Sequence, residues 1–183
     1  MDNLFDRKYS VELSKLRFGL NEEDFKIDSS FFSEFEFSQI QEGDLAVKAE
    51  ITKYIAHLDV TLQFEGNIIL HCDRCMAPYP YELKFTQRVI FTSDQEMEFD
   101  HDEVVIMEDG DVWLDLHGDF FDFIHLQIPI RKVPPPELHL CPPKVLEILG
   151  LDAQGNEILE AKEEKDEVID PRWAALKKLK DKE

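Results

Sequence analysis

Apolar and polar positions alternate with a period of two through much of the chain's first half. Leu45, Val47, Ala49 and Ile51 recur at every second position, as a strand with one buried face requires. Leu58, Val60, Leu62 and Phe64 repeat the pattern, and Glu65-Gly66-Asn67 then reads as a turn. Ile68-Ile69-Leu70 leads directly into Cys72. After Cys75, Tyr79, Tyr81, Leu83 and Phe85 alternate again, and Val89-Ile90-Phe91 continues them. Because sequential strands tend to pair, the series predicts an antiparallel meander.

Helical spacing shows at a few places. Ser29 or Ser30 can cap a turn carrying Phe31, Phe32 and Phe35. Asp115 can cap a longer helix with Leu116, Phe120, Phe123, Ile124 and Gln127, which Pro129 helps to end and Gly118 weakens. At the end of the chain Asp170 suits an N-cap and Pro171 the first helical position. Trp173, Leu176 and Leu179 follow there as a narrow apolar stripe. The fold class expected is α+β: a mainly antiparallel sheet or meander, a few short helices and a C-terminal amphipathic helix. Residues 1–150 form the single domain of this reading, and residues 170–183 the terminal helix. Between them, 151–169 is mostly Glu, Asp, Lys and small residues. Such a stretch buries too little apolar surface to offset its ordering entropy, so a flexible acidic linker is expected.

Charge changes the picture most. Forty acidic residues stand against twenty basic ones, a net −20. A surface of that sign repels phosphate backbones, since nucleic-acid affinity rests on Lys and Arg displacing counterions. A basic protein partner suits the field better, while solubility alone is the plainer reason for acidity. The polarity inverts locally: from Pro171 onward five basic residues face two acidic ones, giving +3 and leaving −23 for the rest. No apolar run nears the roughly 20 residues of a membrane span, and Met1-Asp2-Asn3-Leu4-Phe5-Asp6 lacks the pattern of a signal peptide. A soluble protein of the cytoplasm is expected.

Three cysteines, Cys72, Cys75 and Cys141, do not suggest a disulfide-stapled exported domain. Cys72-Asp73-Arg74-Cys75 presents two sulfurs from one tight turn, and His139 and Cys141 follow the Pro134-Pro135-Pro136 run. Together the four make a Cys₃His zinc site chemically reasonable; buried reduced thiols packing as small apolar groups are the alternative. A thioredoxin-like role fits less well, because Met76-Ala77-Pro78-Tyr79-Pro80 is a poor helix start. Phosphate loops, nucleophile elbows and His-Glu-x-x-His are missing. The acidic run Glu96–Glu103 lacks the glycine of a calcium loop. His57, His71, His117 and His125 read as ordinary members of their elements. No catalytic residues are assigned.

The ordered combination carries more than its parts. Cys72-Asp73-Arg74-Cys75-Met76 after a strand, a late cysteine, and Asp170-Pro171-Arg172-Trp173-Ala174-Ala175-Leu176 near the end resemble the bacterial YceD family. The likeness runs from about Tyr9-Ser10-Val11 to the C-terminal segment. It implies a cytoplasmic, non-enzymatic role in accumulation of large-subunit ribosomal RNA. Carried over by position, Cys72, Arg74 and Cys75 match the first family segment, Cys141 the second, and Asp170, Pro171, Arg172, Trp173 and Leu176 the ending. Pro142-Pro143 departs from members that continue toward a further cysteine, which leaves His139 as a substitute ligand. On this reading the acidic body engages a basic ribosomal protein, while Arg74, Arg172, Trp173, Lys177, Lys178 and Lys180 are candidates for ribosomal RNA or partner contact. Two rivals remain: a zinc-stabilised adaptor unconnected to RNA, and a hydrolase or redox enzyme using Cys75 or the acidic cluster.

Overall fold

β-branched and aromatic residues are frequent in the first half of the chain, and they order as strands. The structure, a computed structural model, describes residues 7–94, 103–108 and 110–152. In chain order the elements are β1 (Ser10–Glu12), β2 (Gly19–Ile27), α1 (Ser29–Ser33), β3 (Gly43–Lys53), β4 (His57–His71), β5 (Pro78–Thr92), β6 (Glu103–Ile106), β7 (Trp113–Asp115), α2 (His117–Leu126) and α3 (Pro143–Ile148). This is the α+β class expected, and the strands are mainly antiparallel. A five-stranded sheet runs β2-β3-β4-β5-β6, and β1 pairs with β7 in a second sheet. Among the described strands only β6 lies parallel to its neighbour, β5. The C-terminal helix and most of the acidic linker fall outside the described residues, as does nearly all of the run Glu96–Glu103.

The period-two pattern decides which face is buried. Leu45, Val47, Ala49 and Ile51 are buried, as are Leu58, Val60, Leu62 and Phe64 opposite them. Each large aliphatic or aromatic side chain in that layer contributes roughly 1.5–3 kcal/mol by leaving water, an upper estimate. The opposite face carries ion pairs between neighbouring strands: Lys48 with Glu22, Lys26 with Asp44, Lys84 with Glu65 and Arg88 with Asp59. Exposed pairs of this kind contribute little to stability.

The helices close the core. Asp28 caps α1, accepting from Ser30 N–H at 3.0 Å, so the cap stands one residue before the serines expected to supply it. Hydrogen bonds from Ser30 and then Lys8 hold the Asp28 carboxyl down at about 2. The first N–H of α2, from His117, reaches Asp115 Oδ1 at 3.1 Å, although Leu116 is the N-cap. Phe120 on α2 inserts between Phe25 of β2 (5.3 Å between ring centroids) and Phe64 of β4 (5.7 Å). Tyr9 packs edge-on against Phe31 at 5.0 Å and completes this aromatic centre.

Glu65-Gly66-Asn67 is not a turn. β4 runs unbroken through it, paired on both sides. Gly66 is needed there because a Cβ would lie 2.2 Å from the Asp44 carbonyl oxygen, so the glycine marks a close backbone approach.

The described residues fall into two compact units, divided after Leu140. In the second, α3 begins beyond Pro142, buries Leu146 and ends where Gly150 takes φ +65°. That left-handed residue lets Leu151 N–H reach the Leu146 carbonyl at 2.8 Å. Among the described residues no helix is long and apolar enough to cross a membrane.

Candidate metal centre

β4 ends at His71 and β5 begins at Pro78, so the residues between them make the hairpin's connection. Cys72 N–H donates to the Ala77 carbonyl at 2.9 Å, and Met76 N–H to the Cys72 carbonyl at 2.8 Å. Met76 takes φ +60°, the left-handed conformation that folds the chain back. Cys72 is buried and Cys75 half-buried. The phenol of buried Tyr79 is pushed upward by burial first, then by negative charge at Cys72 and Asp73.

A second segment is tied to this turn by Asp73. Its N–H donates to the Lys132 carbonyl at 2.8 Å, and its carboxylate accepts from Lys132 N–H at 2.6 Å. Lys132 Nζ lies 3.8 Å from the other carboxylate oxygen and donates to Gln39 Oε1 at 3.2 Å. Beyond Lys132 the chain enters Pro134-Pro135-Pro136, whose fixed φ angles reduce the conformations that ordering must suppress. Leu138 and His139 N–H then both donate to the Pro135 carbonyl, at 3.0 and 3.2 Å. That turn swings His139 back, with Nε2 2.9 Å from Cys75 Sγ.

Cys141 follows two residues later, at the start of the second unit, within the same short stretch of chain. One ligand atom from each of Cys72, Cys75, His139 and Cys141 lies within 4.8 Å of the others. Bond lengths of about 2.3 Å to sulfur and 2.0–2.1 Å to imidazole put tetrahedral edges near 3.5–3.8 Å. The Cys75–His139 separation is tighter than that edge and the 4.8 Å limit looser, so the four donors lie on the scale of one coordination shell. Three soft thiolates and an imidazole select zinc over hard cations. The donor set therefore fits zinc.

Of the remaining candidates, Arg74 lies half-buried in the turn between the two cysteines. Arg172, Trp173, Lys177, Lys178 and Lys180 fall outside the described residues. His117 and His125 join aromatic packing: His117 stacks on Phe35 at 4.8 Å with Nε2 2.9 Å from Glu34, and His125 lies 3.9 Å from the Phe121 ring. Sequence reasoning passed over Asp73 and Lys132. Nothing in their spacing tells that a side chain in the cysteine turn reaches a backbone so far along the chain.

The family model described as "Large ribosomal RNA subunit accumulation protein YceD" matches residues 60–180, well over half of the chain. The chain belongs to the YceD family. The YceD match takes in both cysteine segments and the Asp170-Pro171-Arg172 ending; the likeness around Tyr9 lies before its start. The family description carries a role in accumulation of the large-subunit ribosomal RNA. No curated protein and no solved structure gives a significant match to the chain.

Proposed function

We propose that this YceD protein supports accumulation of large-subunit ribosomal RNA as a non-catalytic binding protein. Its folded body is stapled by zinc at Cys72, Cys75, His139 and Cys141. The observation that carries the structural half is the convergence of four soft donors at the end of a hairpin, clamped by Asp73. A closed four-ligand shell leaves no open position for substrate, which is the form of a structural site. The acidic body engages a basic ribosomal protein or assembly factor, for which the net −20 supplies the steering field. Arg172, Lys177, Lys178 and Lys180 contact ribosomal RNA phosphates, and Trp173 is available to stack. The protein acts in the cytoplasm, where reduced thiols persist.

Affinity capture of the tagged chain from gently lysed cells, with and without nuclease, tests this reading. Recovery of large-subunit ribosomal RNA precursors or early large-subunit proteins is expected. Replacing Lys177, Lys178 and Lys180 by Glu should reduce co-sedimentation with the particle. Absence of ribosomal material at every salt concentration refutes the RNA reading, and recovery of non-ribosomal partners alone, unchanged by nuclease, favours an adaptor unconnected to RNA.

One observation favours a rival. Cys75 and His139, 2.9 Å apart, have the separation of a nucleophile and its base. The two additional thiols beside them suit a metal shell better than a dyad. A Cys75→Ala protein tested under saturating zinc separates the two. Retained cellular function excludes the thiol as nucleophile, while loss of function with fold and zinc intact supports the enzyme.

A further inference from the structure

The outer side of β2 is an open edge. β2 pairs with β3 along its whole length, Gly19–Ile27, and among the described strands none lies on its other side. At about 3.4 Å per residue it presents roughly 30 Å of backbone whose outward N–H and C=O groups meet no described strand. The register runs unbroken from Gly19 opposite Lys53 to Ile27 opposite Leu45, with no proline or bulge in it. Both ends are held. Arg17 N–H donates to Asn21 Oδ1 at 2.9 Å, Asn21 Nδ2 donates back to the Arg17 carbonyl at 2.8 Å, and Asp28 caps α1 directly after Ile27. The edge is therefore preorganised to take a further strand. β5 offers less, because Pro78 and Pro80 interrupt its donors along the length that β6 leaves open.

The side chains of β2 select the strand that fits. Opposite residues share a face, so Glu23, facing Ala49, stands on the core side of the sheet. Glu22 and Asp24, facing Glu50 and Lys48, stand on the other. All three are exposed. The basic groups on these strands are engaged: Lys48 by Glu22 and Glu50, Lys26 by Asp44, and Lys53 by the Leu13 and Leu16 carbonyls. Among the described residues neither Glu23 nor Asp24 has an ion-pair partner, so each face of the edge keeps a carboxylate to offer. Two β2 edges paired antiparallel over their full length would set Glu23 against Glu23 and Glu22 against Asp24, which repels a second copy. A nucleic acid adds like charge and no strand. A strand with Lys or Arg opposite the three carboxylates, and an apolar residue against half-buried Phe25, satisfies both backbone and charge.

We propose that the outer edge of β2 binds an extended basic segment of a partner protein by strand addition, with Glu22, Glu23 and Asp24 reading its lysines or arginines. The proposal rests on the protein-binding half of the function above and gives that partner a place and a conformation.

The test uses the full chain and a short synthetic peptide, lysines in its centre flanked by valines and threonines, labelled for fluorescence anisotropy. Saturable binding that weakens with salt is expected, together with slowed amide exchange at alternate residues of β2. Methylating every backbone nitrogen of the peptide, which leaves its charge intact, should abolish binding. Glu23→Lys with Asp24→Lys should weaken it about tenfold or more, since like charges across an interface repel. Both side chains are exposed, so the variant should keep the parent's fold, checked by its melting temperature. Glu36→Lys with Glu147→Lys makes the same charge change at exposed positions elsewhere and should lower affinity about twofold or less in physiological salt. Equal affinity of parent and Glu23→Lys, Asp24→Lys protein, undiminished binding of the methylated peptide, or exchange slowed only outside β2 overturns the proposal. So does a dimer that the same double variant dissociates, which makes the edge a contact between copies. Alternate β2 amides already protected in the free parent, and released when Lys177, Lys178 and Lys180 become Gln, assign the edge to the chain's own end and overturn it too. Because the probe is synthetic, failure here leaves the ribosomal RNA reading to its own capture experiment.

Discussion

Replacing Asp73 by Ala separates positioning of the metal ligands from ligation itself. The carboxylate accepts a short charge-assisted hydrogen bond from Lys132 N–H and faces Lys132 Nζ at 3.8 Å. A hydrogen bond to a charged group contributes about 1.5–3 kcal/mol when shielded. The Asp73 side chain is 41% exposed, so solvent screening reduces this, and the ion pair adds little. The Asp73 N–H bond to the Lys132 carbonyl survives the substitution, so part of the clamp remains. About 1–2 kcal/mol is then lost from the tether. If the tether serves to hold His139 near the cysteines, zinc affinity cannot fall by more than that free energy. At about 1.4 kcal/mol per tenfold, the loss is roughly 5- to 30-fold. Competition against a chromophoric chelator measures it, with urea unfolding of metal-free protein as the second readout. Asp73→Asn, which keeps an acceptor but not the charge, should fall between. Unchanged affinity refutes the positioning role. A loss of a thousandfold refutes it in the other direction, since Asp73 would then be a ligand.

Three other outcomes are expected. The Asp119 value of about 6 lies above an ordinary carboxyl, so folding takes up a proton between about pH 4 and 6. The stability it gives is full at the acid end and is lost as pH rises through 6. Asp119→Asn should flatten that slope and stabilise the protein at pH 7 by about 1 kcal/mol, after discounting for partial exposure. Urea melts at pH 5 and 7 decide it, and a slope equal to the parent's refutes the assignment. Phe120→Ala removes a ring fully buried against Tyr9, Phe25 and Phe64, and should cost about 3–5 kcal/mol in the same assay. Gly66→Ala forces a methyl toward the Asp44 carbonyl and should destabilise by about 3 kcal/mol. A melt within error of the parent would show that β3 and β4 can part there without cost.

The central strands were legible because one face of each is dry. Leu45 to Ile51 and Leu58 to Phe64 obey a period that no helix can satisfy. β2 was not, for the opposite reason: Gly-Leu-Asn-Glu-Glu-Asp-Phe-Lys-Ile is an edge strand whose charges face water, so only Ile27 is buried. The parallel placement of β6 and the pairing of β1 with β7 depend on contacts between distant residues, which leave no local period. Glu65-Gly66-Asn67 has the composition of a turn, yet the glycine answers to a neighbouring strand rather than to its own chain. At the metal centre, donor identity could be read from residue types. Its closure could not, because it depends on a clamp between Asp73 and Lys132 and on the reversal after Pro135.

The contact between Cys75 and His139 joins residues 64 positions apart. For a flexible chain, closing such a loop costs about 3–4 kcal/mol of entropy. By contrast, the β4–β5 hairpin needs only its own connection and can zip locally. On a nascent chain emerging from its amino end, the hairpin would therefore be complete well before His139 and Cys141 are available. If zinc closes the proposed site, maturation has an early, metal-independent step and a late one gated by zinc supply. Under zinc limitation the half-finished product would be a well-formed sheet with a loose strap at residues 131–141, a ready substrate for proteolysis.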